Sequence, residues 1–123
     1  MKNEIKQQLS EIRKRLDKLE GIDKNVKFTR IGNLEWSECL GEMNWYDAIK
    51  KCEELGGRLP TRVELLDLYD NHSDEWKDFV AAYYWSSTEY NATSAWGQSF
   101  STGSVYNYYK TYLYYVRCVR SCK

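Results

Sequence analysis

The chain has 123 residues, of which 42% are hydrophobic and 15% aromatic, a composition that supports one compact domain with its own core. Its 18 lysines and arginines balance 18 aspartates and glutamates, so no net charge favours nucleic acid or an anionic membrane as a partner. The sequence contains no membrane-spanning apolar run and does not open on a Sec signal peptide. We therefore expect a cytoplasmic or virion-associated protein that does not insert into membranes.

Residues 1–21 form a first segment with the apolar period of a helix. Its apolar residues recur every three or four positions and are Ile5, Leu9, Ile12, Leu16 and Leu19. In heptad terms leucine occupies the a positions and mostly isoleucine the d positions, which favours parallel trimers or tetramers. We expect the chain to form a homo-oligomer through a coiled coil over residues 1–20. The alternative is an amphipathic helix that lies on its own domain, because fewer than three heptads are marginal for a free coiled coil.

Residues 22–123 are predicted to form a single domain that begins with strands at 26–31 and 34–36 and continues with helices. Asn44 is a suitable N-cap for the first helix, and Gly56 ends it. The buried face of that helix is predicted to consist of Trp45, Ala48, Ile49, Cys52 and Leu55.

A second helix is predicted from the capping box at 61–64. Its apolar residues are Leu65, Leu66, Leu68 and Tyr69. A third, short helix is predicted around residues 76–80, with Ser73 as its cap.

From residue 83 onward the apolar period changes from that of a helix to that of a strand. Strands are predicted at 84–88, 95–101, 105–109 and 112–119, with a hairpin turn at 101–103. Early helices followed by a late antiparallel sheet indicate an α+β architecture.

The segment 90–115 is almost uncharged, because Lys110 is its single charged residue. Within 95–105 two classes of residue alternate. Those predicted to pack are Trp96, Gln98, Phe100, Gly103 and Val105. The small or polar ones are Gly97, Ser99, Ser101, Thr102 and Ser104. Because successive side chains of a strand point to opposite faces, we expect one packed face and one free face.

Four motifs in this order resemble a known family: WYDAIKKCEELGGRLPTRVELLDLY from residue 45, YWSST from residue 84, AWGQSF from residue 95 and YVRCVR from residue 115. Across residues 26–120 the chain resembles the bacterial C-type-lectin-like domains of the formylglycine-generating-enzyme type. The resemblance implies a C-type-lectin-like fold for residues 22–123, with a loop-rich binding face on a small sheet and terminal strands that lie together. The N-terminal helix lies outside the resemblance.

The four cysteines take their expected pairing from this resemblance. It implies a disulfide between Cys52 and Cys118 in an oxidising environment, and a second bridge between Cys39 and Cys122 is then expected near the ends of the adjacent terminal strands. The alternative is four reduced thiols, since no export signal is present. A zinc site is not expected, because the chain lacks paired C-x2-C knuckles and His72 is its single histidine.

The sequence offers little support for catalysis or for a metal. The enzyme of the resembled family uses a reactive cysteine pair, but no histidine or carboxylate cluster accompanies the thiols here. Calcium-dependent lectins of this fold carry Glu-Pro-Asn or Gln-Pro-Asp and Trp-Asn-Asp motifs, which are absent, and segment 90–115 has no carboxylate. We expect neither enzymatic activity, nor a metal, nor a cofactor.

The composition of the C-terminal segment suggests how it is used. Tyr, Asn, Ser, Thr, Ala, Gly and Leu are all reached from the codon AAC by replacing adenines alone. This set is typical of the variable proteins of diversity-generating retroelements, which the sequence resembles. The resemblance implies a non-catalytic module that binds an unknown macromolecule, expected to be a protein, in phage or surface receptor binding. The alternative is a structural or assembly subunit of a phage particle or surface complex with a fixed tyrosine-rich interface.

The predicted binding surface is exposed and replaceable, on a scaffold of Trp85, Trp96, Phe100 and Val116. Its residues are Asn91, Thr93, Ser94, Gly97, Ser99, Ser101, Thr102, Ser104, Tyr106, Asn107, Tyr108, Tyr109, Thr111, Tyr112 and Tyr114.

Overall fold

The structure is a computed structural model that describes residues 26–75 and 81–122. The predicted N-terminal helix at 1–20 and the predicted third helix at 76–80 lie outside the described residues. Oligomer formation through the first of these helices stays a prediction.

The described part of the chain contains eight strands and two helices. In chain order they are β1 (Phe28–Ile31), β2 (Leu34–Ser37), β3 (Glu42–Met43), α1 (Trp45–Glu54), α2 (Arg62–Asn71), β4 (Tyr83–Glu89), β5 (Ser94–Ser99), β6 (Val105–Tyr109), β7 (Tyr114–Tyr115) and β8 (Val119–Ser121). Helices early and most strands late confirm the predicted α+β class.

Both helices begin at the predicted caps. The Asn44 side chain accepts a hydrogen bond from the backbone N–H of Asp47 at 2.9 Å. At α2, Thr61 Oγ1 accepts from the N–H of Glu64 at 3.1 Å, while Glu64 Oε1 accepts from the N–H of Thr61 at 2.8 Å. Each cap satisfies backbone donors that have no partner within the helix.

The apolar faces of the helices lie against the sheets. On α1 the buried residues are Ala48 and Cys52, and on α2 they are Leu65 and Leu68. Leu66, an apolar residue of the same helix, is 41% exposed. Its position lies about 100° around the helix from Leu65, which turns it toward solvent.

The strands form a three-stranded sheet in the order β1-β2-β8 and a five-stranded sheet in the order β3-β7-β4-β5-β6. The pairing of β4 with β7 is parallel and the others are antiparallel, so the late sheet is mixed rather than purely antiparallel. The single strand predicted at 112–119 is also wrong. The chain leaves the larger sheet after β7 and joins the smaller one as β8, with buried Val116 and Cys118 between the two strands.

The two faces of β4 lie in different core clusters. Trp85 packs with α1, Val116 and Cys118, whereas Tyr84 packs with Leu65 of α2 and the other members of a second cluster. This central strand is therefore covered on both faces and forms the rigid base of the late hairpins.

The Cys52–Cys118 disulfide is confirmed and joins α1 to the segment before β8, with the Cα atoms 5.4 Å apart. The predicted second bridge is wrong, because Cys39 and Cys122 are free. In the antiparallel register of β2 and β8, Leu34 lies opposite Ser121. Extending that register separates the two cysteines by about six positions, roughly 20 Å along the strands.

Candidate ligand-binding surface

The hairpin of β5 and β6 and the loops that flank it gather many of the predicted binding residues. A depression of about 510 Å³ lies at one end of this hairpin. It is lined by Tyr90, Asn91, Thr93, Ser94, Asn107, Tyr108, Tyr109 and Tyr112, and we call it the tyrosine groove. Seven of these eight residues were predicted from the sequence. The eighth, Tyr90, was missed, and its sequence signal is its place directly before Asn91 as the first residue of the uncharged segment 90–115.

Three tyrosines of the predicted surface are strongly exposed: Tyr106 at 55%, Tyr109 at 57% and Tyr112 at 46%. The rings of Tyr109 and Tyr112 lie edge to face with centroids 5.6 Å apart, and the Tyr108 ring lies 6.1 Å from that of Tyr112. These contacts place a connected aromatic wall along the tyrosine groove.

Two other predicted tyrosines, Tyr108 and Tyr114, are half-buried and pack against the core cluster of Trp85. Tyr114 lies 5.2 Å from the Trp85 ring and 5.0 Å from the Tyr108 ring, measured between centroids. Tyr108 sits opposite Ala95 in the strand pair, whose small side chain leaves room for the ring. Both tyrosines were predicted to be exposed, whereas the structure shows them half-buried.

Tyr83 of β4 completes this layer and was not predicted. Its ring contacts those of Tyr108 and Tyr114, at 5.0 and 4.7 Å between centroids. Its hydroxyl donates a hydrogen bond to the backbone carbonyl of Tyr106. Burial raises the pKa of Tyr83 and of Tyr114, because it disfavours the charged phenolate.

Gly97 and Ser94 were predicted to be exposed, but both are buried. A Cβ atom on Gly97 would stand 2.5 Å from the Tyr84 carbonyl oxygen and closer still to the Tyr83 ring. Ser94 is 6% exposed and lies opposite Tyr109 in the ladder. The face of β5 that carries Gly97 was expected to be free, but the Tyr83 ring of β4 lies across it.

Asn91 organises the loop that borders the groove. Its side-chain oxygen accepts hydrogen bonds from the N–H groups of Thr93 at 2.9 Å and Ser94 at 2.8 Å, and from the Thr93 hydroxyl at 3.1 Å. This is an Asx turn, in which the side chain replaces a backbone acceptor. Asn91 thus shapes the groove, and its side-chain oxygen is already engaged in these three hydrogen bonds.

The predicted serines and threonine at the far end of the hairpin do not line the groove. They are Ser99, Ser101, Thr102 and Ser104, and their hydroxyls bond to one another or to the turn backbone. Gly103 has φ +78°, the left-handed conformation that this turn requires. The remaining predicted residue, Thr111, is exposed beside Tyr112. The structure therefore divides the predicted set between two ends of one hairpin.

Lys110 follows β6 and was left without a role by the sequence, although it is the single charge of its segment. Its side chain is 4% exposed, with Nζ 3.1 Å from Glu89 Oε1 and 3.0 Å from the Ala92 carbonyl oxygen. The ammonium also lies 4.4 Å from the centre of the Trp45 ring. Lys110 therefore ties the loop after β4 to the end of β6 and fixes the groove between them.

Trp96 differs from the rest of the predicted scaffold. Trp85, Phe100 and Val116 are buried, whereas Trp96 is half-buried. Its ring is covered by the Arg62 guanidinium, 4.2 Å from the ring centre, and by the edge of the Tyr90 ring at 5.5 Å. Trp96 thereby supports Tyr90 at the border of the groove.

Within residues 26–75 and 81–122, no three His, Cys, Asp or Glu side chains converge in a way that could hold a metal ion. No described helix is long and apolar enough to cross a membrane.

Comparisons with known proteins agree with this geometry. A family model described as Lcl C-terminal domain matches residues 30–120. A crystal structure of botrocetin, a C-type-lectin-like protein, resembles the chain with a TM-score of 0.57 and 17% identity, and covers 76% of this chain and 95% of that one. At that identity the likeness shows the fold alone, and it confirms the C-type-lectin-like prediction. Among curated proteins no match is found.

Proposed function

Because the chain belongs to the Lcl C-terminal domain family, we propose that it is a non-catalytic ligand-binding protein whose ligand contacts the tyrosine groove. The observation that carries this proposal is the separation of the tyrosines into two sets. Tyr109 and Tyr112 are exposed along the groove, whereas Tyr108 and Tyr114 pack against the core cluster of Trp85.

The chemistry of the groove favours a protein ligand. Tyrosine offers a large, rigid contact area and a polar tip at a low cost in side-chain entropy, as in antibody binding sites. The charges nearest the groove are engaged, since Lys110 pairs with Glu89 and Arg62 stacks on Trp96. Recognition would then depend on shape, aromatic contact and neutral hydrogen bonds.

We extend the proposal to diversification of this surface, in the manner of variable proteins of retroelements and within the formylglycine-generating-enzyme type of the fold. Phage or surface receptor binding is the role that such a protein would have. The support is the adenine-reachable residue set together with the exposure of Tyr106, Tyr109, Thr111 and Tyr112, where replacement disturbs little packing. Ser94 and Gly97 would stay constant, because both are buried.

Protein and glycan arrays probed with the labelled full chain test the function. The test variant replaces Tyr106, Tyr109 and Tyr112 by Ser, and the control replaces the exposed α2 residues Val63 and Leu66 by Ser. We expect proteins that bind the natural chain and the control but not the test variant. Equal binding by all three chains, or no binding by any, would overturn the proposal. Aggregation of the natural chain that the test variant abolishes would instead support a fixed assembly interface.

A further inference from the structure

We propose that the outer edge of β6 binds an extended peptide segment of the ligand as an additional strand. This inference rests on the ligand-binding function proposed above and names the form of the ligand. In the order β3-β7-β4-β5-β6, β6 is a terminal strand, and among the described residues it pairs only with β5.

The hydrogen bonds that flank β6 show which of its backbone groups point outward. Ser99 N–H donates to the Ser104 carbonyl and Lys110 N–H donates to the Thr93 carbonyl, both at 2.8 Å. Because inward and outward positions alternate in an antiparallel ladder, residues 106 and 108 face β5. The outward positions are those of Val105, Asn107 and Tyr109.

Most of these outward groups are available to a new strand. The Tyr109 carbonyl accepts from the Tyr112 N–H at 3.0 Å. The N–H groups of Val105, Asn107 and Tyr109 and the carbonyls of Val105 and Asn107 have no backbone partner among the described residues. Together they form the short row of donors and acceptors that strand addition requires.

The edge of β6 lacks the devices that usually prevent strand pairing. Exposed edges are commonly protected by lysine, by proline or by a bulge. Between Val105 and Tyr109 there is neither a proline nor a charged residue, and the five residues pair with β5 in unbroken register. The next residue, Lys110, turns inward to Glu89. Among residues 26–75 and 81–122, no strand pairs with this edge, so within that part of the chain it is open to a partner strand.

The length of β6 favours a peptide over a second copy of the chain. Five residues extend for about 17 Å, and two such edges would bury far less than the roughly 1,200 Å² typical of stable interfaces. Alternate side chains of an added peptide would lie beside Tyr106 and Tyr108 on one face, and beside Asn107 and Tyr109 on the other. These neighbours are uncharged, so the fitting partner is an uncharged segment with aromatic or aliphatic residues at alternate positions.

A display library of seven-residue peptides, selected on the full chain, tests the inference. Asn107→Pro removes an outward N–H without removing a bond to β5, and proline is tolerated at such edge positions. The matched control, Asn107→Val, loses the same side-chain amide but keeps the N–H. Because Asn107 also lines the groove, its two variants are compared with each other. We expect the selected peptides to bind Asn107→Pro at least tenfold more weakly than Asn107→Val.

Amide hydrogen exchange of the natural chain gives a second readout that does not depend on the folding of a variant. A selected peptide should slow exchange at Val105, Asn107 and Tyr109, whereas the amides at 106 and 108 are already protected by β5. Unchanged exchange at those three amides would overturn the inference.

The other outcomes also separate the inference from the proposed function. Equal peptide binding to Asn107→Pro would place recognition in side chains alone, which overturns strand addition and leaves a ligand-binding surface. Failure to select any peptide would overturn it as well, while the array experiment decides the function independently. A dimer that Asn107→Pro dissociates would show that a second copy occupies the edge, which contradicts the peptide proposal.

Discussion

The ring of Tyr83 lies across Gly97, and its hydroxyl reaches the backbone of β6 to bond the carbonyl of Tyr106. Three adjacent strands are thereby connected by one side chain, since Tyr83 belongs to β4, Gly97 to β5 and Tyr106 to β6. The absence of a side chain at Gly97 is what allows the ring to pass. The edge strand that carries the exposed tyrosines is held in place by this contact.

Gly97→Ala should therefore lower the free energy of unfolding by about 1–3 kcal/mol, because the new methyl group overlaps the Tyr83 ring and the Tyr84 carbonyl. Urea denaturation measures the change. The exposed Thr111→Ala is the control and should stay within about 0.5 kcal/mol of the natural chain. If Gly97→Ala unfolds with the same free energy as the natural chain, the Tyr83 ring does not lie across this position.

Lys110→Met should lower the free energy of unfolding by about 2 kcal/mol, since the Ala92 carbonyl and the Glu89 carboxylate lose the ammonium that binds both. Methionine keeps most of the apolar stem in place. Glu89→Gln is the control and should cost less than about 1 kcal/mol, because the Glu89 side chain is 57% exposed. Full stability of Lys110→Met in chemical denaturation would mean that the buried charge does not fix the loop.

Alkylation of the folded chain without reductant should label two thiols, Cys39 and Cys122, and four after unfolding and reduction. The mass of the unreduced chain gives the same count. Replacing Cys52 and Cys118 by Ser should cost about 4 kcal/mol, as expected for a cross-link across 66 residues. If no cysteine of the unreduced chain were alkylated, Cys39 and Cys122 would form the second disulfide after all.

The ion pair at the start of α2 predicts a pH dependence. Burial alone would raise the pKa of Glu64. The hydrogen bonds from Arg58 and Thr61 together lower this pKa by more than burial raises it, so the net shift is downward. A depressed folded-state pKa contributes stability above the unfolded pKa of about 4.3, and that contribution is lost as the pH falls through the folded value.

Urea denaturation at about pH 7 and about pH 3 checks this sign. The stability difference between the natural chain and Glu64→Gln should be larger at the higher pH and should shrink at the lower one. A difference that does not change with pH would exclude a linked titration of Glu64.

Local features of the fold were predictable from the sequence because their causes are local. Asn44 and Thr61 cap their helices through bonds to residues three positions away, so the residue types alone indicate the helix starts. The change of sheet between β7 and β8 depends on long-range pairing instead. Tyr115 of β7 pairs with Tyr84, whereas Val119 of β8 pairs with Trp36, and no local pattern encodes that division.

The candidate site was predictable only where the exposure of a residue depends on its local sequence. Small and polar residues on a strand were taken to face solvent, which holds for the turn around Ser101 but fails at Gly97 and Ser94. At Gly97 a small residue is needed because the Tyr83 ring covers it, and the sequence of β5 alone contains no sign of that ring. Lys110 shows the converse, a charged residue that is buried because Glu89 and Ala92 bind its ammonium group.

The tyrosines of the C-terminal segment should separate into two sets that respond oppositely to replacement by serine. Replacing exposed Tyr106, Tyr109 and Tyr112 together should change the free energy of unfolding by no more than about 1 kcal/mol, as is usual for surface positions. Replacing Tyr108 and Tyr114, which pack on the Trp85 cluster, should cost about 3 kcal/mol or more. Thermal and urea unfolding of the two variants measure the difference.

Ligand binding should follow the opposite order for a ligand found on the arrays. Exposed tyrosines that act as anchors are worth about 2 kcal/mol each, so the triple variant should lose binding while it stays folded. The Tyr108 and Tyr114 variant should lose stability first. Where it remains folded it should keep the binding that Tyr109 and Tyr112 contribute, although it loses the contact that Tyr108 makes in the groove. If the triple variant instead melts as early as the double variant, the exposed tyrosines belong to the core, and the tyrosine groove is not a binding surface.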